Sequence, residues 1–260
     1  MSKTEPHRST QRVLDILDHI VKNRDSGLSL TELADALDAP KSSLFPIVHT
    51  LCQAGFLSLN PVTSRYTIGF KAYEVGNAFL KDDALNAEIQ NQMHFITDQC
   101  REACFFGELV DGDVFYLFKT DSPEPIRMVA SPGKRLPAYS AGLGKALLSG
   151  KTRSELEALY PDGLTPLTPH TITDMDELCE QLEQVRQSGM AYEKEESTPY
   201  IQCIAVPIRT GSSSQVRAAM SVAIPVFRYD EKKEQMISML LNQAQNKLEA
   251  LITSQVPGHG

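Results

Sequence analysis

Cys100 and Cys104 stand one helical turn apart, a spacing at which two thiolates can share a metal ion. A structural zinc site needs four ligands, and no histidine or second cysteine pair lies nearby in sequence, so no metal is expected. The run from Gly144 to Gly150-Lys151-Thr152 resembles a phosphate-binding loop but has one residue too many between its glycines. It also falls within or after a helix, whereas a phosphate loop links strand to helix. Ala138-Tyr139-Ser140-Ala141-Gly142 resembles a nucleophile elbow with Ala where the first Gly is required. No histidine lies between His94 and His170 to act as a local base. No acid, base and nucleophile assemble with defined roles, so neither catalytic residues nor a cofactor are expected. Gly142 and Gly144 at a helix N-terminus could offer backbone N–H groups to an anion, or could simply make a tight turn.

The elements around these residues alternate. A helix is predicted from about Leu85 to Cys100, then strands at Cys104–Val110 and Val114–Thr120 across an Asp111-Gly112 hairpin turn. A third strand is predicted at Ile126–Ala130 and a helix at Gly144–Leu148. Helices near Arg153–Tyr160 and Asp174–Gln187 follow, the second capped by Gly189. Strands at Ala191–Glu196, Gln202–Arg209 and Val216–Ile224 come next, the last two joined through a Gly211–Ser214 turn. A long final helix carries Ile237, Leu240, Leu241, Ala244, Leu248 and Leu251 on one stripe. This mixed order predicts an α+β fold.

The first third reads differently. Val13, Ile16, Leu17, Ile20 and Val21 follow helical spacing over about Ser9 to Asn23. Ser29-Leu30-Thr31-Glu32 is a capping box that opens a second helix with Leu30, Leu33, Ala34 and Leu37 inward. After the turn Asp38-Ala39-Pro40, a third helix turns Leu44, Ile47, Val48 and Leu51 inward. Ser42, Pro46, His49, Thr50 and Gln53 then face outward. Phe56–Leu59 and Arg65–Ile68, separated by a turn, make a wing. Together these form a winged helix-turn-helix, whose third helix suits the major groove. Arg8, Lys41, Ser43 and Arg65 are candidate phosphate contacts, and Ser42, His49 and Thr50 candidate base readers.

The motif order resembles the IclR family of bacterial transcription regulators. The matching residues are Leu33–Leu37, Pro40–Ser43, Leu51–Leu57 and Arg65–Gly69 in the first third. Later come Leu136–Leu148 and Gly189–Glu193 through Cys203–Ile208. The resemblance implies a winged helix joined by a linker helix to a GAF-like effector domain, an antiparallel sheet flanked by helices. It sets boundaries at 1–69, 70–83 and 84–260. It also implies dimers or dimers of dimers, the linker helix carrying Phe70, Tyr73, Val75, Gly76 and Phe79 against its mate. The implied effector pocket uses Tyr139, Gly142, Leu143 and Gly144, together with Glu193, Cys203 and Ser221. Taken on their own, Cys203 reads as a small buried apolar residue more readily than as a ligand contact, and Glu193 could be one of several solvated carboxylates. Two departures stand out: Pro46 where many members have Arg, and Tyr139 where many have His. Ala223 has also lost a hydroxyl found in many members.

The charge agrees with two modules. Of a net −8, residues 1–80 contribute nothing, with 8 basic and 8 acidic side chains. Residues 81–260 carry 17 and 25. No apolar run approaches a membrane span, and the irregular cysteines read as reduced thiols in a cytoplasm. The expected function is a ligand-responsive transcription regulator, a repressor by analogy with the family. Its expected partners are a double-stranded, pseudo-palindromic operator and a small carboxylate effector such as a hydroxy or sugar acid. A metabolic enzyme with a fused DNA head and a protein-binding scaffold are the alternatives.

Overall fold

The computed structural model describes residues 7–80, 84–128, 135–209 and 215–255. The chain divides into two units, residues 1–82 and 83–260.

In the first unit, helical spacing buries Ile16 and Ile20 of α1 (Arg8–Lys22) completely. Arg12 of that helix donates to the Leu37 carbonyl at 2.8 Å, satisfying an end carbonyl of the next helix. After β1 (Leu28–Ser29), α2 (Leu30–Ala36) opens on the predicted capping box, Ser29 and Glu32 bonding each other's backbone. The third helix, α3 (Lys41–Gln53), runs unbroken through Pro46 and buries Leu44, Val48 and Leu51. The wing is β2 (Leu57–Asn60) and β3 (Arg65–Ile68), with β1 added beside β3. At its turn the Asn60 carboxamide accepts from the Val62 and Thr63 amides at 2.9 and 3.1 Å. Next comes α4 (Phe70–Leu80), the expected linker helix; residues 81–83 of that linker lie outside the described residues.

The second unit begins with α5 (Ala84–Cys100), β4 (Ala103–Val110) and β5 (Asp113–Thr120). Asp111 and Gly112 take φ of 53° and 85° at the predicted hairpin turn. The third strand is a correction. It is not at Ile126–Met128; Val129 and Ala130 lie outside the described residues, and the strand β6 is Arg135–Pro137. It is an edge strand of three residues on β5, a place where Pro137 costs no ladder hydrogen bond. A 3-10 turn (Ala138–Ser140) leads into α6 (Gly142–Leu148). There follow α7 (Arg153–Leu159) and α8 (Met175–Ser188), the latter capped by Asp174 and ended by Gly189 at φ 76°. Next are β7 (Ala191–Lys194), β8 (Ile201–Arg209), β9 (Val216–Pro225) and α9 (Glu231–Gln255). The Gly211–Ser214 turn lies outside the described residues.

These strands make one antiparallel sheet in the order β6-β5-β4-β9-β8-β7. Strand alternation gives it two apolar faces. Ala103, Phe105, Cys203, Ala205 and Ala223 pack with α6 and α8 on one side. Cys104, Phe106, Ile204, Val222 and Ile224 pack with α5 and α9 on the other. The fully buried Glu102 receives two 2.7 Å bonds from Arg228 and one from Lys233, pinning the start of β4 to α9.

Candidate functional site

The α6 face of the sheet carries the unit's polar exceptions. Glu193 on β7 and Cys203 on β8 are cross-strand partners, and Cys203 in turn pairs with Ala223 on β9. Ser221, two residues earlier on β9, lies on the same face beside Ala205 and Phe105. Over this row α6 lies very close. A Cβ on Gly142 would sit 2.9 Å from Cys203 Cβ, and one on Gly144 would sit 2.0 Å from the Ala138 carbonyl oxygen. Both glycines therefore exist for close approach of backbone to backbone and sheet.

A cavity of about 740 Å³ opens beside this row, between α8 and β7. Glu193 and Cys203 line it, together with Gln181, Gln184, Gln187 and Gln202. Gly142, Leu143, Gly144 and Ser221 are buried close by and are not among its lining residues. Tyr139 is placed elsewhere. Its hydroxyl donates to the Thr165 carbonyl at 2.8 Å and accepts from the Thr165 amide at 2.9 Å, while its ring meets Tyr160 edge-on. It holds the loop after α7, and the cavity is lined without it.

Sequence reasoning missed the charge pair at this cavity. Lys145, only 1% exposed, donates to Glu196 Oε1 at 2.5 Å and to Gln181 Oε1 at 2.7 Å. A lone cation in the apolar run Gly142–Leu148 was its one visible signal; its partner lies 51 residues away. The loop bearing Glu196 is held by Thr168 and Thr171, whose hydroxyls donate to the Glu195 and Glu196 carbonyls at 2.7 and 2.6 Å. Glu195 and Tyr200 in that loop take left-handed φ of 60° and 65°, uncommon for residues with side chains.

Glu193 is only 3% exposed, and its Oε1 accepts from the amides of Glu196 and Ser197 at 2.5 and 3.2 Å. Beyond these it meets the thiol of Cys203, a weak donor, and neither Glu193 nor Glu196 has a well-formed bond at Oε2. Burial pushes the Glu193 carboxyl up to about 7, outweighing the groups that favour its anion. Burial likewise raises Glu196 despite Lys145, and pushes the Cys203 thiol well up.

The raised value has a thermodynamic sign. Between the ordinary 4.5 and about 7 the folded chain keeps a proton that the unfolded chain has released, so stability falls as pH rises through that window. Glu193→Gln keeps an oxygen for both amides and cannot ionise. It is expected to leave the melting temperature unchanged near pH 4 and to raise it by ~5 °C at pH 8, a gain of about 2 kcal/mol. Thermal unfolding at the two pH values checks this; a shift independent of pH contradicts it.

In the first unit, α3 presents Lys41, Ser42, Phe45, Pro46, His49 and Thr50 on one exposed side. Ser43 donates its hydroxyl to the Pro40 carbonyl at 2.7 Å, and Thr50 donates to the Pro46 carbonyl at 2.8 Å. Arg8 is exposed at the first turn of α1. Arg65 is turned inward: it pairs with Glu32 Oε1 at 2.8 Å and donates to the Ser26 and Gly27 carbonyls, clamping the wing to the α2 capping box. Hydrogen bonds from the Ser29 backbone and side chain, then from Arg65, hold Glu32 down at about 2. Phe45 was also missed, although the inward spacing of Leu44, Val48 and Leu51 leaves it facing outward.

Family models match both units. "IclR helix-turn-helix domain" matches residues 9–61, and "Bacterial transcriptional regulator IclR C-terminal" matches residues 77–250. The chain belongs to the IclR family. This IclR-family chain is 31% identical over 242 residues to the HTH-type transcriptional regulator KdgR of Dickeya chrysanthemi, covering 92% of this chain and 78% of that one. An IclR-type regulator from Alicyclobacillus acidocaldarius shares the fold, with a TM-score of 0.84, 22% identity and coverage of 95% and 99%. An IclR homologue from Microbacterium hydrocarbonoxydans, solved with 4-hydroxybenzoate, aligns at TM-score 0.77 and 21% identity over 93% of this chain and 97% of that one. The protein is a transcriptional regulator with a DNA-binding head and an effector-type C-terminal domain. Among the described residues no helix is long and apolar enough to cross a membrane.

Proposed function

We propose that this regulator represses transcription until a small hydroxy acid or sugar acid occupies the cavity beside Glu193. The observation that carries the reading is the buried carboxyl of Glu193 on the wall of a cavity large enough for a metabolite. Glu193 and Glu196 suit ligand hydroxyls, and the carboxamides of Gln181, Gln184, Gln187 and Gln202 offer donors to a carboxylate. That the Microbacterium homologue holds a hydroxy acid supports the same ligand class. Release of the effector unchanged is part of this reading, as expected of a regulator rather than an enzyme. A dimer or dimer of dimers supplies two heads to a pseudo-palindromic operator, and the exposed Phe70, Tyr73 and Val75 of α4 suit a helix that packs on a second copy. The protein works in the cytoplasm, a setting in keeping with its five free cysteines.

A thermal-shift screen of small acids tests the ligand class. Stabilisation by hydroxy acids supports it; stabilisation only by neutral or cationic compounds contradicts it. On the head, Lys41→Ala is expected to weaken binding to all DNA sequences by about 1 kcal/mol and to reduce the salt slope by about 1. His49→Ala is expected to relax preference at particular bases. Competition binding against a panel of sequences measures both, and a uniform loss for His49→Ala shows that it does not read bases.

A further inference from the structure

The outer side of α3 carries a large aromatic ring where polar base readers are usual. Phe45 is 53% exposed, while Leu44, Val48 and Leu51 of the same helix are buried. It is not loose: its ring stacks on His49 one turn later, with centroids 5.8 Å apart and planes 16° from parallel. Two hydroxyls near it are engaged within the head, while Lys41, Ser42 and His49 stay exposed on the same side. The Ser43 and Thr50 hydroxyls donate to carbonyls of their own helix and its cap. Pro46, the neighbour of Phe45, brings no side-chain donor and no backbone N–H.

An exposed ring on such a face can add apolar contact to the polar readout of a groove. The major groove offers one apolar group that distinguishes a base, the 5-methyl of thymine. We propose that Phe45 is a specificity-determining residue that packs on a thymine methyl in the operator, with His49 holding its ring in place. The inference rests on the reading of α3 as the helix that enters the major groove. Among the described residues, Phe45 is not part of the head's hydrophobic core, and the ring it stacks on is that of His49.

The test begins with the operator recovered by capturing genomic DNA fragments on the full-length protein. Each thymine of that operator is then replaced in turn by deoxyuridine, which removes the methyl and leaves base pairing intact. For the wild type, one thymine in each half-site is expected to lose about fourfold in affinity, the change expected for uncovering about one buried methyl group. Phe45→Ala is expected to bind the natural operator about tenfold more weakly and to be indifferent to the same substitution. Phe45→Leu, which keeps an apolar side chain, is expected to retain part of the sensitivity. The inference is overturned if no thymine shows a methyl effect that depends on Phe45. It is overturned equally if Phe45→Ala binds as tightly as the wild type, which would assign the ring to a contact other than DNA. A wild type that captures no preferred sequence at all would instead overturn the reading on which this one rests.

Discussion

Lys145→Met is expected to destabilise the C-terminal unit by about 3 kcal/mol or more, the cost of leaving one member of a buried ion pair alone. Lys145 is 1% exposed and bonded to both Glu196 and Gln181, so its loss leaves the largely buried Glu196 without its cation. Burial already raises Glu196, and Lys145 is what opposes that rise. Without Lys145 the carboxyl rises further and keeps its proton in the folded state to higher pH. The sign follows: a raised carboxyl makes stability fall as pH increases, so the defect should be smallest near pH 5 and largest near pH 8. Adding Glu196→Gln should restore most of the loss, because a neutral pair carries no unpaired charge. Denaturant unfolding of the two single variants and the double variant measures this. A Lys145→Met defect that does not depend on pH, or that Glu196→Gln fails to relieve, contradicts the assignment.

Gly144→Ala is the second large effect. Its Cβ would lie 2.0 Å from the Ala138 carbonyl oxygen and 2.5 Å from Ala138 Cα, both backbone atoms of the preceding turn. Backbone cannot rotate away as a side chain can, so α6 must lift off that turn. The expected cost is about 3 kcal/mol or more, at the upper end for overpacking. Gly142→Ala meets Cys203 Cβ at 2.9 Å and the Cys203 backbone at an ordinary 3.5 Å, a milder clash that should cost about 1 kcal/mol. The order of the two variants is the stringent part. Equal losses in thermal unfolding would mean that α6 does not lie against Ala138 as described.

Much of the head was legible because its signals are local. The Ser29–Glu32 capping box and the spacing of Leu44, Val48 and Leu51 placed α2 and α3, and the Arg65–Ile68 strand coincides with its prediction. Pro46 removes one donor from α3, yet the helix continues through it. The fate of Arg65 was not legible, since its partners Glu32 and Ser26 come to it only when the wing folds back. In the second unit, the apolar Ile126 suggested a strand, whereas Arg135–Pro137 is the segment that pairs with β5. Partner strands, rather than the β propensity of a segment, decide such short edges. Glu193 and Cys203 were named only through the family resemblance. Their burial and cross-strand pairing are what raise the carboxyl of Glu193, and neither can be read from Glu193-Lys194-Glu195-Glu196 alone. Lys145 and Glu196 meet across 51 residues of chain, a separation over which sequence spacing carries no information.

Regulation through the cavity requires its coupling to the DNA-binding head. An effector can shift DNA affinity only if it binds one state of the protein more tightly than another. The most direct measurement is operator affinity with and without a hydroxy acid that stabilises the protein, for the wild type and for Glu193→Gln. The account predicts a decrease of at least fivefold on adding the acid to the wild type, a smaller change in the variant, and recovery of the acid chemically unchanged. Operator affinity that stays constant while the acid saturates the protein, or an acid recovered as a different compound, would contradict it.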